Sequence, residues 1–163
     1  MSKQIPLTQG QFAIVDDEDF EMVCQQKWHL MRQKRKNYAI SSVYLRPKGG
    51  TYIMQTLYLH RFIMRPPKGM EIDHKDHNGL NCQRDNMRIC THAENDRNSR
   101  SHVNSTSKYK GVFHDRLKGR WKASIRCNQR NINLGYFSSE VEAAQAYDAK
   151  AKEMFGEFAC TNF

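Results

Sequence analysis

Residues 59–98 read LHRFIMRPPKGMEIDHKDHNGLNCQRDNMRICTHAENDRN. An Asp-His pair (Asp73, His74), a later Asn86 and a second carboxamide, Asn95, are spaced along this stretch. A carboxylate and an amide oxygen are donors for a hard divalent cation. An imidazole takes a proton from water near neutral pH. A cation beside them polarises a phosphoryl group and stabilises a leaving oxygen. Together these residue types fit hydrolysis of a phosphodiester. The local pattern is equally ordered. GMEIDH (69–74) reads as a short strand, and HNGL (77–80) carries an Asn-Gly turn signal. NMRIC (86–90) alternates apolar and polar residues as a second strand does. THAE (91–94) is a capping box, which places a helix start just after Thr91. Asn95 and Asn98 are three apart and share a face of that helix.

In the order strand, turn, strand, helix, this stretch resembles the HNH nuclease motif, also called ββα-metal, in the variant of free-standing phage and intron endonucleases. The resemblance implies roles. Asp73 would be a metal ligand, and His74 the general base. Asn86 would brace the loop and orient His74. Asn95 would be the second protein ligand where many relatives carry His, with Asn98 the alternative for that place. The carboxamide suits Mg2+ (or Mn2+), one ion per active site. One geometric condition attaches: neighbours on a regular strand point to opposite faces, so Asp73 and His74 serve one site only if the strand ends or bulges there.

Working outward, IPLTQGQFAIV (5–15) reads as strand, turn, strand. The acidic run Asp16, Asp17, Glu18 and Asp19 reads as a helix start, because acidic side chains favour the N-terminal end of the helix dipole. A short helix is expected over 18–26. The segment IPLTQGQFAIVDDEDF also resembles the lead-in of phage HNH proteins. WHLMRQKRK (28–36) gathers Arg32, Lys34, Arg35 and Lys36 in a basic hairpin, ahead of strands over 38–45 and 51–59. HRFIM (60–64) is a helical turn that Pro66 and Pro67 end. Within it, His60 reads as structural, while Arg61 and Arg65 read as phosphate contacts.

RNSRSHVNSTSK (97–108) is polar and reads as a linker. Beyond it, YKGVFH, RWKASIRC and NINLGYF read as three strands. In the second, Trp121, Ala123 and Ile125 share one face and Lys122, Ser124 and Arg126 the other. In the third, Ile132 and Leu134 oppose Asn131 and Asn133. Ser139 to Glu142 is a second capping box, and Ala143, Ala144, Tyr147, Ala151 and Phe155 line one helical face before Gly156. On YKGV, GRWKASI, LGYF, EAAQAYD and GEFACTNF this module resembles the Apetala-two type DNA-binding domain of plant ethylene-response factors. The resemblance nominates Lys110, Arg120, Lys122, Ser124, Arg126, Asn131 and Asn133 as facing the major groove, with Tyr147 as a phosphate contact. Phe113, Asp115 and Asn133 stand where base-reading residues are expected, so the plant target sequence does not transfer.

The expected fold is α+β. A small N-terminal antiparallel sheet and a ββα-metal core fill residues 1–98, a linker fills 99–108, and a three-stranded antiparallel sheet on one helix fills 109–163. In the whole chain of 163 residues, 26 Lys and Arg against 17 Asp and Glu leave a formal net charge of +9. That surplus points to nucleic acid as partner. A mean hydropathy of −0.82 and the lack of a long apolar run argue against a membrane span. The five cysteines include no Cys-x-x-Cys pair, which points to reduced thiols in the cytoplasm rather than a disulfide framework or zinc knuckle. The function expected is site-preferring, metal-dependent cleavage of double-stranded DNA, homing-type, one strand per active site, by a monomer or homodimer. The rival is a DNA-binding regulator on the same scaffold with an inactive core.

Overall fold

The computed structural model describes residues 1–33, 36–46, 49–99 and 105–163. Lys34 and Arg35 of the basic hairpin, and residues 100–104 of the expected linker, lie outside the described residues. The chain forms two compact units, Met1–His92 and Ala93–Phe163.

The first unit opens with β1 (Ser2–Pro6) and β2 (Phe12–Asp16), an antiparallel pair turned by Thr8 to Gly10. Helix α1 (Asp17–Cys24) starts directly on the acidic run. Asp17, Glu18 and Asp19 fill its first turn, where they complement the dipole. Two of the acids do more than start the helix. Asp16 accepts from the backbone N–H of Arg84 (2.7 Å) and the side chain of Gln83 (3.1 Å). Asp19, 3% exposed, takes both arms of the Arg84 guanidinium at 2.8 and 2.6 Å.

Strands β3 (His29–Arg32), β4 (Asn37–Leu45) and β5 (Ile53–Tyr58) form an antiparallel sheet in that order. β5 runs straight into α2 (Leu59–Met64), where the sequence alone suggests strand through 59. The helix ends as Arg65 turns left-handed (φ 45°) before the two prolines. Strands β6 (Glu71–His74) and β7 (Met87–Cys90) pair antiparallel with Asp73 opposite Arg88 and His74 opposite Met87. One core serves all of this: Ile5, Val15, Val23, Trp28, Leu59, Ile72 and Cys82 are among its members. Burying that apolar surface is the main stabilising term.

The second unit begins within α3 (His92–Arg97). Strands β8 (Val112–Asp115), β9 (Arg120–Cys127) and β10 (Arg130–Phe137) make an antiparallel sheet with β9 central. Helix α4 (Glu140–Phe155) packs on one face, through Ala143, Ala144, Tyr147, Ala151 and Phe155. Its Ser139 cap accepts from the N–H groups of Val141 and Glu142, as the capping box requires. Ala123 and Ile125 are buried against it, as the alternation in β9 implies. β10 departs from simple alternation. The register slips between Asn133 and Gly135, so Leu134 is the extra residue of a bulge. Leu134 packs into both apolar clusters of the unit, while Ile132 remains 37% exposed. Ile132 pairs with the buried Ile125 on the inner face, as the alternation implies, but its place on the edge strand leaves it partly in solvent.

Among the described residues no helix is long and apolar enough to cross a membrane. The cysteines form no disulfide among them.

Candidate active site and nucleic-acid surface

β6 ends at His74, whose carbonyl accepts the N–H of His77 at 3.0 Å as the chain turns away. Asp73 and His74 are the last two residues of the strand, both in register with β7, Asp73 meeting Arg88 and His74 meeting His60 and Tyr38. Asp73 and His74 are each 1% exposed. Arg88, cross-strand from Asp73, sends Nε (2.9 Å) and Nη2 (2.7 Å) to Asp73 Oδ2. The pair is buried on both sides, with Arg88 only 11% exposed.

Asn86 is tied to the loop that follows His74. Its carbonyl accepts Lys75 N–H (2.9 Å), and its Oδ1 accepts Asp76 N–H (3.1 Å). Its Nδ2 donates to Asp76 Oδ1 (3.0 Å) and to the Asn81 carbonyl (2.8 Å). Asp76 is the hub of this loop. Burial opposes its ionisation, but the Asn78 amide and the Asn81 and Asn86 side chains outweigh that and hold its carboxyl below the usual range. The loop is also clipped to β2: Ile14 N–H donates to Leu80 and Cys82 N–H to Ile14, both at 2.8 Å.

His74 faces an aromatic wall. The His60 ring stands perpendicular to it (86°) with centroids 5.3 Å apart, and Tyr38 lies at 6.3 Å. Burial, with Lys36 nearby, pushes the His74 imidazole down to about 4, against the pull of Asp76 and Asp73. The neutral ring is therefore the form present at pH 7, and the neutral ring is the one that accepts a proton.

Asn95 lies on α3, in the second unit, and is half-buried; Asn98 follows the helix end and is 5% exposed. Among the described residues no group of three or more His, Cys, Asp and Glu side chains is arranged to hold a metal. The nominated donors, one carboxylate and one carboxamide, are not such a group. Their all-oxygen chemistry fits a hard cation. Against it, Arg88 already occupies one oxygen of Asp73.

Arg61 and Arg65 are exposed. Arg61 reaches the Met70 carbonyl at 3.3 Å, and Arg65 the Met22 sulfur at 3.6 Å.

In the second unit the outer sheet face is ordered by register. Phe113, Lys122 and Tyr136 form one cross-strand row, Ser124 and Asn133 the next, Arg126 and Asn131 the third. The Lys122 ammonium lies 5.4 Å from the Phe113 ring and 5.7 Å from Tyr136. Arg120, Arg126, Asn131 and Asn133 are exposed. Arg120 stands opposite Asp115, whose carboxylate caps the turn at Leu117 and Lys118. Lys110 is placed differently: its Nζ donates to the Arg97 carbonyl, and burial lowers its pKa. Asn162, itself held by Asp148, fixes the Lys110 backbone from both its N–H and its carbonyl. Tyr147 is 3% exposed and sits in the core cluster with Ile125, Ala151 and Phe155. A Cβ on Gly111 would come 2.0 Å from the Tyr147 ring. A ring so placed holds the sheet on the helix.

The HNH endonuclease family model matches residues 58–97. An uncharacterised HNH endonuclease of Acanthamoeba polyphaga mimivirus is 31% identical over 159 residues, covering 94% of this chain and 75% of the viral protein. The chain belongs to the HNH endonuclease family. It is thus a nuclease, joined to a second module of separate kinship. An AP2-like ethylene-responsive transcription factor of Arabidopsis thaliana is 41% identical over 69 residues, 41% of this chain and 12% of the plant protein. A dehydration-responsive element-binding protein of Oryza sativa is 44% identical over 62 residues, 37% of this chain and 22% of that protein.

Sequence reasoning missed three contributors: His60, Arg88 and the Asp16–Asp19 clasp on the loop. Arg88 had a signal, since an Arg in the paired strand can sit opposite a strand Asp. His60 had none that separates it from a core histidine.

Proposed function

We infer that this chain hydrolyses phosphodiester bonds of duplex DNA at preferred sites, in the manner of a homing-type endonuclease, with one active site acting on one strand. The observation that carries the reading is the burial of Asp73 and His74 side by side where β6 ends, inside the segment that matches the family. An imidazole nitrogen of His74 takes the proton from the attacking water. Asn86 holds the loop beneath it and so orients the ring. Asp73 would give a carboxylate oxygen to a divalent cation, Mg2+ or Mn2+. When bound, such an ion polarises the phosphoryl group and stabilises the departing oxygen.

The outer face of the β8–β10 sheet supplies site affinity through Arg120, Lys122, Ser124, Arg126, Asn131 and Asn133. A three-stranded sheet with such a face fits the major groove of B-form DNA, and the narrow groove of A-form RNA excludes it. Lys110 borders that face, and Arg61 and Arg65 add phosphate contacts from the first unit.

Plasmid nicking with Mg2+ tests the reading. His74→Ala and Asp73→Ala should each lose about 10²- to 10⁴-fold in cleavage rate while duplex affinity by anisotropy stays within a few-fold. Parent-like cutting by both variants would remove the site. A second reading has one observation behind it: the Arg88 guanidinium on Asp73 neutralises the charge a cation needs. On that reading the protein binds DNA as a regulator, and the parent nicks nothing at any Mg2+ or Mn2+ concentration.

A further inference from the structure

His60 is 8% exposed in the first turn of α2. Three rings enclose it: Tyr38 at 5.3 Å, Tyr58 at 5.4 Å and His74 at 5.3 Å between centroids. Its Nδ1 is fully buried and has no hydrogen-bond partner among the described residues. A buried polar atom left in that state costs about 1–3 kcal/mol. Phenylalanine would fill the same space without that cost. Packing alone therefore does not account for an imidazole at this position.

The wall around it is held firmly. Tyr38, on β4, also lies against the loop that leaves His74. A Cβ at Gly79 would come 2.4 Å from the Asn37 carbonyl and 2.8 Å from the Tyr38 ring. Only a glycine lets strand and loop approach so closely, which is a stronger demand than the Asn-Gly turn makes. The perpendicular arrangement sets the electropositive edge of one imidazole against the π face of the other, the favoured geometry for aromatic pairs.

We propose that His60 is a positioning residue for His74: its ring, backed by Tyr38 and Tyr58, fixes the plane of the His74 imidazole that receives the proton. The inference rests on the reading of His74 as the base. His60 makes no contact with substrate in this role. It belongs to the group whose buried, costly polarity is retained because it holds a reacting group in one orientation.

The test compares His60→Phe, His74→Ala and the parent. His60→Phe removes the orphaned nitrogen, so its melting temperature should equal or exceed that of the parent. Its single-turnover cleavage should fall roughly 10- to 100-fold, the scale of a small misplacement of a catalytic group, with duplex affinity unchanged. In the metal-free protein, the ring signals of His74 should shift and broaden as the imidazole loses its single orientation. Slower cutting with retained stability is the pattern a purely structural residue does not produce. Should His60→Phe fail to fold, His60→Met carries the same comparison. If His74→Ala is dead but His60→Phe cuts at the parent rate with unchanged His74 signals, the positioning role is overturned and the base assignment stands. If His74→Ala cuts as fast as the parent, the base assignment falls, and this inference with it.

Discussion

In the first unit Asp73 and His74 are each 1% exposed, walled by Arg88 on one side and by His60 and Tyr38 on the other. In the second, Arg120, Arg126, Asn131 and Asn133 stand in solvent on the outside of a sheet. The two units solve opposite problems. A group that moves a proton works best fixed and partly dried, because electrostatic interactions strengthen away from water and a fixed group needs no reorganisation. A group that meets phosphate must be reachable, and its contribution is long-range and screened by salt. The first unit therefore holds buried charged groups, at Asp19 as well as at the site. The second packs Val112, Ile125, Phe155 and several alanines under a polar face, with Asp148 buried beside them and tied to Asn162.

Removing one partner from a buried pair should show the contrast most strongly. Arg88→Met leaves the Asp73 carboxylate buried without its guanidinium, and stability to urea should fall by about 3–5 kcal/mol. A fall of less than about 1 kcal/mol, the scale of an exposed pair, would show that the pair does not hold the site together. The matching change in the second unit should leave stability nearly untouched. Lys122→Ala with Arg126→Ala should weaken duplex binding about tenfold and flatten the salt dependence by roughly one counterion for each phosphate no longer neutralised. Its unfolding should stay within about 0.5 kcal/mol of the parent. Parent-like affinity at every salt concentration would place those side chains outside the DNA interface. A further difference is in pH dependence. Burial, then the neighbouring His74, Arg61 and Lys36, pushes His60 from 6.5 down to about 3. The unfolded chain binds that proton below pH 6.5 and the folded chain does not, so the stability is whole above pH 6.5 and drains away as pH falls towards 3. His60→Phe should lose melting temperature less steeply than the parent between pH 7 and pH 5. Parallel curves for the two would show that His60 does not carry that dependence.

Much of this architecture was legible in advance because it is local. The capping box at Ser139, the acidic start of α1 and the alternation in β9 depend on neighbours a few residues away. The adjacency of Asp73 and His74 is a property of the chain itself. Other features escaped for a shared reason. The bulge at Leu134 depends on how β10 meets β9. Tyr147 looks like any helix-face tyrosine until Gly111 is packed beneath its ring. Asp16 and Asp19 meet Gln83 and Arg84 across more than sixty positions of sequence.

By itself the sequence determined which residue types stand together: a carboxylate beside an imidazole, carboxamides at helical spacing, basic side chains alternating with apolar ones along β9. Those are matters of covalent order and of the periods of strand and helix. Only the tertiary structure decided what surrounds them. It ended β6 at His74, put Arg88 on Asp73, and closed His60 and Tyr38 over the imidazole. The physical reason is that burial, pairing and ring contact arise between segments distant in sequence, and no local pattern encodes which of them will meet.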